Sequence, residues 1–139
     1  MKKISKDQIE EFIDQLDFSK FGDLGELLPI VVQDYQSNEV LMLAYINKTA
    51  LKKTLETGFA HYYSRSRQKV WQKGEESGHI QKVKGVFVDC DNDSLLMKVK
   101  QIGGACHKGY YSCFYTAFMN GELKIIYEKI FNPKEVYKK

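Results

Sequence analysis

This sequence of 139 residues lacks a long apolar run, carries little net charge and has only three cysteines. No segment approaches the roughly 18 consecutive apolar residues of a membrane span, and the charged N-terminus has no signal-peptide core. We therefore expect a cytoplasmic protein that binds no membrane. A net charge of +3 is too small to predict nucleic-acid binding. The odd cysteine count disfavours a disulfide framework and leaves thiols that are either buried or bound to metal.

The hydrophobic pattern predicts two helices. Ser5 and Gln8 form a capping-box pattern ahead of apolar residues at helical spacing, which predicts an N-terminal helix over about residues 5–18. Asn47 and Gly58 are suited to begin and end one further short helix over residues 48–57.

The rest of the chain is predicted to be rich in β-strands. Asn120-Gly121 is typical of a hairpin turn, and apolar runs predict strands over residues 30–34, 40–45, 59–64, 80–89, 95–101, 112–118 and 123–130. We expect an α+β fold with a mostly antiparallel β-sheet, in a single domain over residues 1–139. Its core is expected in about residues 29–118, with a hairpin strand and a tail in 119–139.

Three carboxylates follow one predicted strand. In extended backbone, Asp89, Asp91 and Asp93 would share one face while the intervening cysteine points away. A divalent cation such as magnesium or calcium would relieve their repulsion. For an isolated pattern of this kind, an acidic surface turn is the more common explanation. An EF-hand loop is excluded because Ser94 stands where glycine is required and Lys100 where glutamate is required.

The cysteines are candidate zinc ligands. Cys106 follows Cys90 by 16 residues, and Cys113 follows Cys106 by seven. Three thiolates would leave one position of a tetrahedral zinc open for water, as in catalytic sites. His107 could be a fourth ligand, a proton shuttle or an ordinary loop histidine. No C-x-x-C pair is present, and for cysteines taken by count alone, burial of the thiols as small apolar groups is the more common explanation.

The polar segment over residues 61–79 combines features that suit a ligand with both phosphate groups and an aromatic base. Its arginines, hydroxyls and glycine amides match phosphate oxygens, and Trp71 and the tyrosines could stack on a base. A solvated loop is the alternative.

Taken together, these segments resemble phosphoribosyl-AMP cyclohydrolase over about residues 29–118. The resemblance depends on Tyr63-Ser64-Arg65-Ser66-Arg67, Trp71-Gln72-Lys73-Gly74-Glu75 with Ser77-Gly78, Asp89-Cys90-Asp91-Asn92-Asp93, and Gly103-Gly104-Ala105-Cys106-His107 with Ser112-Cys113-Phe114.

The resemblance implies an enzyme with two metals and two subunits. Zinc, one ion per subunit, would be shared across an intertwined homodimer, with Cys90 from one subunit and Cys106 and Cys113 from its partner. The family's magnesium ligands match Asp89, Asp91 and Asp93. Some members continue into a phosphoribosyl-ATP pyrophosphohydrolase, an activity that we expect to be absent here.

The resemblance also implies the reaction. A zinc-activated water would hydrolyse the N1–C6 bond of the adenine ring of 1-(5-phosphoribosyl)-AMP, opening the purine ring in histidine biosynthesis. We expect His107 to transfer the proton, with His61 and His79 as second choices. The expected substrate contacts are Ser64, Arg65, Ser66, Arg67, Trp71, Lys73, Gly74, Glu75 and Ser77.

Two other classes fit the sequence less well. A zinc deaminase would need H-x-E and P-C-x-x-C patterns, and neither occurs in a chain whose prolines are Pro29 and Pro133. An RNA-binding surface around residues 64–67 would need a stronger basic bias and leaves the aspartates and cysteines unexplained.

Overall fold

The computed structural model describes residues 3–22 and 25–137, and within them the chain forms three helices and eight strands. The helices are α1 (Lys6–Asp14), α2 (Lys48–Thr57) and α3 (Pro133–Val136). The strands are β1 (Leu28–Asp34), β2 (Val40–Ile46), β3 (His61–Ser64), β4 (Lys69–Gln72), β5 (Gln81–Val88), β6 (Leu95–Gln101), β7 (Thr116–Met119) and β8 (Glu122–Ile125). The α+β class is therefore confirmed, with α3 as a helix that the sequence did not predict.

Local sequence signals explain the two longer helices. The Ser5 hydroxyl accepts a hydrogen bond from the Gln8 amide at 3.1 Å, and the Gln8 side chain accepts one from the Ser5 amide at 2.9 Å. This capping box begins α1, which ends earlier than predicted, at Asp14. Helix α2 has the predicted bounds, because Asn47 caps its first turn and Gly58 ends it with a φ of 79°.

The main sheet has four strands in the order β2-β1-β6-β5. Strands β1 and β6 are parallel, with Ile30 opposite Leu95, and the other pairs are antiparallel. Two further antiparallel hairpins, β3–β4 and β7–β8, lie outside this sheet. The prediction of a mostly antiparallel sheet is confirmed.

One face of the main sheet packs against α1 and α2. The buried core combines side chains from both helices and alternate sheet positions, among them Ile9, Ile13, Ala50, Leu51, Leu55, Ile30, Val32, Met97 and Val99. The opposite face carries Leu43, Val31, Leu96 and Phe87, which are neighbours across the strands in that order. We call these four residues the outer apolar row. Leu43 is 52% exposed and Phe87 is 49% exposed, so this row lacks a cover within the described chain.

Several predicted boundaries were wrong for identifiable reasons. Strand β4 lies in the segment predicted to be polar loop; it forms because Gln68, with a φ of 53°, turns the chain back so that β4 pairs with β3. Strand β7 begins at Thr116, since the residues before it bond to other parts of the chain, as when the Cys113 amide donates to the Leu41 carbonyl.

Among the described residues, no helix has both the length and the apolar character needed to cross a membrane.

Candidate active site

Two cavities meet at Trp71 and Arg67. The first, which we call the histidine cavity, has a volume of about 280 Å³ and is lined by Arg67, Trp71, Gln72, Lys73, Gly74, Glu75, Glu76, Ser77, His107 and Tyr137. The second, the serine–arginine cavity, has a volume of about 450 Å³ and is lined by Ala44, Tyr45, Tyr62, Tyr63, Ser64, Arg65, Ser66, Arg67 and Trp71. Every residue predicted to contact substrate lines one of the two, and so does His107. Sequence reasoning missed Tyr45 and Tyr137, which lie outside the polar segment.

The β3–β4 hairpin forms the wall between the cavities. Tyr62 and Trp71 are opposite each other in the hairpin, with ring centroids 5.6 Å apart. The turn between the strands holds the two arginines, and the Ser64 hydroxyl accepts a hydrogen bond from the Arg67 amide at 3.2 Å. The Arg65 guanidinium lies 4.9 Å from the centre of the Tyr45 ring, a cation–π contact that orients the guanidinium. The exposed guanidinium groups of Arg65 and Arg67 therefore lie beside the aromatic rings of the hairpin.

Gly74 has a conformational role in shaping the histidine cavity. Its φ is +86°, and a Cβ at this position would lie 2.6 Å from the His79 carbonyl carbon and from the Ile80 amide nitrogen. A side chain cannot be placed there without moving backbone. Glycine is therefore required for the loop over residues 73–80 to close, in addition to any contact that Gly74 makes with substrate.

Lys73 connects the histidine cavity to the segment that carries two cysteines. Its ammonium donates a hydrogen bond to the Ala105 carbonyl at 2.5 Å and lies 5.7 Å from the centre of the Trp71 ring. Burial lowers the pKa of Lys73, and the nearby Cys113 and Cys106 thiols oppose that shift. The cation thus lies between the cavity and the thiols.

Two of the predicted zinc ligands are neighbours within one chain, whereas the third is remote. Cys113 and Cys106 are close enough to influence each other's ionisation, and desolvation together with the Cys106 charge raises the pKa of Cys113 to about 11. Cys90 lies in the turn that joins β5 to β6, at the far end of that hairpin. Across residues 3–22 and 25–137, the only group of three potential ligand side chains that converge is formed by aspartates, so the cysteines do not meet within one chain.

The acidic cluster forms as predicted but for a different reason. The ligand oxygens of Asp89, Asp91 and Asp93 lie within 4.8 Å of one another. Their segment is a tight turn and not extended strand: Asn92 has a φ of 61°, and the Asp93 amide donates to the Asp89 carboxylate at 3.1 Å. That bond holds the pKa of Asp89 below its usual value. The Lys20 ammonium lies 3.0 Å from the Asp93 carboxylate and balances part of the charge.

The three histidines have different surroundings. His107 is exposed and lines the histidine cavity. His61 is buried, and its Nδ1 lies 2.8 Å from the Phe59 carbonyl oxygen. His79 lines neither cavity, and its buried Nδ1 has no hydrogen-bond partner in the described chain. Of the candidate proton carriers, His107 is therefore the one placed beside the cavity.

The fold and these cavities define an α+β protein with an enzyme-like site, in which aromatic and cationic side chains lie beside a pair of thiols. The family model for phosphoribosyl-AMP cyclohydrolase matches residues 42–115. The chain belongs to the phosphoribosyl-AMP cyclohydrolase family and is a hydrolase, which confirms the resemblance seen in the sequence.

Individual relatives agree with this assignment. The chain is 57% identical to phosphoribosyl-AMP cyclohydrolase of Methanosarcina barkeri, over 88% of this chain and 93% of the relative. It is 59% identical to the enzyme of that name from Methanothrix thermoacetophila, over 83% of this chain and 93% of the relative. The histidine biosynthesis bifunctional protein HisIE of Thermoanaerobacter pseudethanolicus is 56% identical over 85% of this chain, which spans only 54% of that longer protein.

Proposed function

We propose that the chain hydrolyses the N1–C6 bond of the adenine ring in 1-(5-phosphoribosyl)-AMP. We place this reaction in the cytoplasm and in histidine biosynthesis, the pathway for which the Thermoanaerobacter relative is named. The observation that carries the proposal is the histidine cavity, which gathers His107, Trp71 and Lys73 next to the Cys106–Cys113 pair. This arrangement offers a ring-binding wall, a proton carrier and soft ligands in one place.

The substrate has a planar purine and two phosphates, and the two cavities offer groups for each. Trp71 stands where both cavities meet, which suits packing against the purine. Arg65 and Arg67, with the Ser64 and Ser66 hydroxyls, line the serine–arginine cavity and suit phosphate oxygens. Because the Lys73 ammonium already bonds to Ala105, we assign it the further task of holding the cysteine segment against the histidine cavity.

His107 is proposed to move the proton that the ring opening requires. Ribosylation of N1 makes C6 more electrophilic than in AMP, so water adds its oxygen to C6. Breaking the C6–N1 bond then requires a proton on N1. His107 lines the cavity and follows a cysteine ligand directly in the chain, which keeps its imidazole within reach of both events.

The donor groups fit the two metals expected for the family. Cys90, Cys106 and Cys113 would hold zinc through thiolates, and zinc, when bound, supplies a water that ionises at about neutral pH. Asp89, Asp91 and Asp93 offer hard oxygens within 4.8 Å of one another, which suits magnesium. The magnesium would orient a substrate phosphate.

A homodimer is proposed because one chain leaves both its zinc ligands and its apolar surface incomplete. Cys90 does not converge with Cys106 and Cys113 within the described chain, so we propose that the third thiolate comes from a second copy. The outer apolar row and the β7–β8 hairpin, where Phe118 is 73% exposed and Leu123 is 72% exposed, are surfaces that such a copy would cover.

An absorbance assay of phosphoribosyl-AMP ring opening tests the proposal. We expect the metal-loaded protein to open the ring, a zinc chelator to abolish the activity, and added zinc to restore it. Absence of ring opening by metal-loaded protein would overturn the substrate assignment. Full activity in protein shown to be free of zinc would overturn the role of the thiolates.

A further inference from the structure

The C-terminal segment, residues 129–137, packs back against the loop that carries Cys106. The Ile130 amide donates a hydrogen bond to the Gly109 carbonyl at 2.8 Å, and Tyr110 and Lys129 form an antiparallel bridge. The Lys129 ammonium also lies 5.9 Å from the centre of the Tyr110 ring. Backbone bonds and a cation–π contact thus hold the segment against this loop.

Two glycines of the loop permit a close approach. A Cβ at Gly104 would lie 2.9 Å from the Phe131 ring and 3.3 Å from the Ile130 side chain. A Cβ at Gly109, whose φ is +103°, would lie 2.6 Å from the Phe131 carbonyl oxygen. Any larger residue at either position would push the C-terminal segment away. The two glycines of the loop are therefore required for this contact.

Phe131 anchors the segment to the wall of the site. Its ring meets the His79 imidazole edge to face, with centroids 4.5 Å apart and an interplanar angle of 80°. On another side, the same imidazole lies against Gly103, where a Cβ would be 2.6 Å from the ring. His79 follows the loop that lines the histidine cavity, so Phe131 ties the C-terminal segment to that loop.

After this anchor the chain turns toward the cavity. The Asn132 side chain accepts a hydrogen bond from the Lys134 amide at 3.0 Å, and Pro133 begins the single turn of α3. The Tyr137 amide then donates to the Pro133 carbonyl at 2.8 Å. The turn places Tyr137 on the histidine cavity together with Trp71 and His107.

We propose that Tyr137 is a substrate-binding residue, whose ring packs against the purine nucleotide in the histidine cavity, and that Phe131 is a positioning residue for it. The inference rests on the proposed function for the identity of the nucleotide. Tyr137 lies beyond the residues 42–115 that the family model matches, so it is an addition to the motif residues. An aromatic ring on the same cavity as Trp71 gives a planar ligand a second apolar contact.

Substitution of Tyr137 tests the contact in the full-length, metal-loaded protein. We expect Tyr137→Ala to raise KM for phosphoribosyl-AMP about tenfold, the effect of losing about 1.4 kcal/mol of binding, with kcat within about threefold of wild type. Tyr137→Phe keeps the ring and should keep the wild-type KM. Tyr127→Ala is the matched control, because Tyr127 bonds to Glu39 at 3.3 Å and lines neither cavity. A KM for Tyr137→Ala equal to that of the control would overturn the inference.

Binding of AMP, measured by calorimetry, separates this inference from the proposed reaction. Weaker AMP binding by Tyr137→Ala than by Tyr127→Ala supports the contact even if the wild-type protein opens no ring. If the wild-type protein opens the ring and both variants bind AMP equally, the contact is refuted and the reaction stands.

A double-mutant cycle tests the positioning role of Phe131. Loss of the Phe131 ring should release Tyr137, so Phe131→Ala should raise KM several-fold with unchanged zinc content. The double variant should then be no worse than Tyr137→Ala alone. If the two effects multiply, Phe131 does not act through Tyr137, and that part of the inference is wrong.

Discussion

Mixing two inactive variants tests whether the three cysteines meet across a subunit interface. Cys90→Ala removes one proposed zinc ligand, and Cys106→Ala removes another. Each variant alone should lack ring-opening activity, because two thiolates do not complete the proposed site. In a mixed dimer, however, the Cys106→Ala subunit still offers Cys90, and the Cys90→Ala subunit still offers Cys106 and Cys113. One complete set of ligands is thereby restored.

The size of the expected recovery follows from the geometry. Strand β6 runs from Leu95 to Gln101, and its ends are about 20 Å apart at about 3.3 Å per residue. Cys90 lies just before the first end, and the loop with Cys106 follows the second. Zinc–sulfur bonds are only about 2.3 Å long, and the three thiols do not converge within the described chain, so we expect them to meet one ion across two chains. Random pairing of equal amounts makes about half of the dimers mixed, each with one complete site of two, so the pool should have about one quarter of wild-type activity.

Coexpression with two affinity tags allows mixed dimers to be isolated and assayed for ring opening and zinc. Purified mixed dimers should reach about half of wild-type activity and zinc content, since one site of two is complete. A mixture of Cys106→Ala with Cys113→Ala is the control. In each proposed site Cys106 and Cys113 come from the same subunit, so neither site of this mixed dimer can have all three thiols. Inactive mixed dimers of the first pair, or recovery in the control, would refute the shared-site reasoning.

Three further changes have defined outcomes. His107→Ala should lower kcat about 10²- to 10⁴-fold with unchanged melting temperature, and near-normal turnover would remove His107 from the mechanism. Gly74→Ala should lower the free energy of unfolding by about 1–3 kcal/mol in denaturant titrations, because its Cβ would meet the His79 backbone at 2.6 Å; unaltered stability would contradict the clash. Although partial burial opposes it, hydrogen bonds from Tyr111 and backbone amides hold the pKa of Asp34 below its usual value. Ionised Asp34 therefore stabilises the fold above its unfolded pKa of about 4, and this stabilisation is lost as the pH falls through the lower pKa of the folded state. In Asp34→Asn, the free energy of unfolding should consequently fall less steeply with decreasing pH on the acid side.

Features that depend on residues close together in the chain were predictable from the sequence. The capping box at Ser5, the bounds of α2 between Asn47 and Gly58, and the turn at Asn120-Gly121 need only neighbours within a few positions. The residue types of the site were recognisable for the same reason, since the arginines and the aspartates occur in short runs and each cysteine lies in a short motif of its own. The family and its hydrolase class followed from those runs.

The tertiary structure determines where these short motifs meet. Strand β6 separates Cys90 from Cys106, because the turn with Cys90 precedes this strand and the loop with Cys106 follows it. A tight turn, and not an extended strand, brings Asp89, Asp91 and Asp93 together, and the return of the C-terminal segment brings Tyr137 to the cavity. The contact of Tyr137 with the cavity joins residues far apart in the chain, so it depends on strand order, register and close packing, which no local pattern encodes.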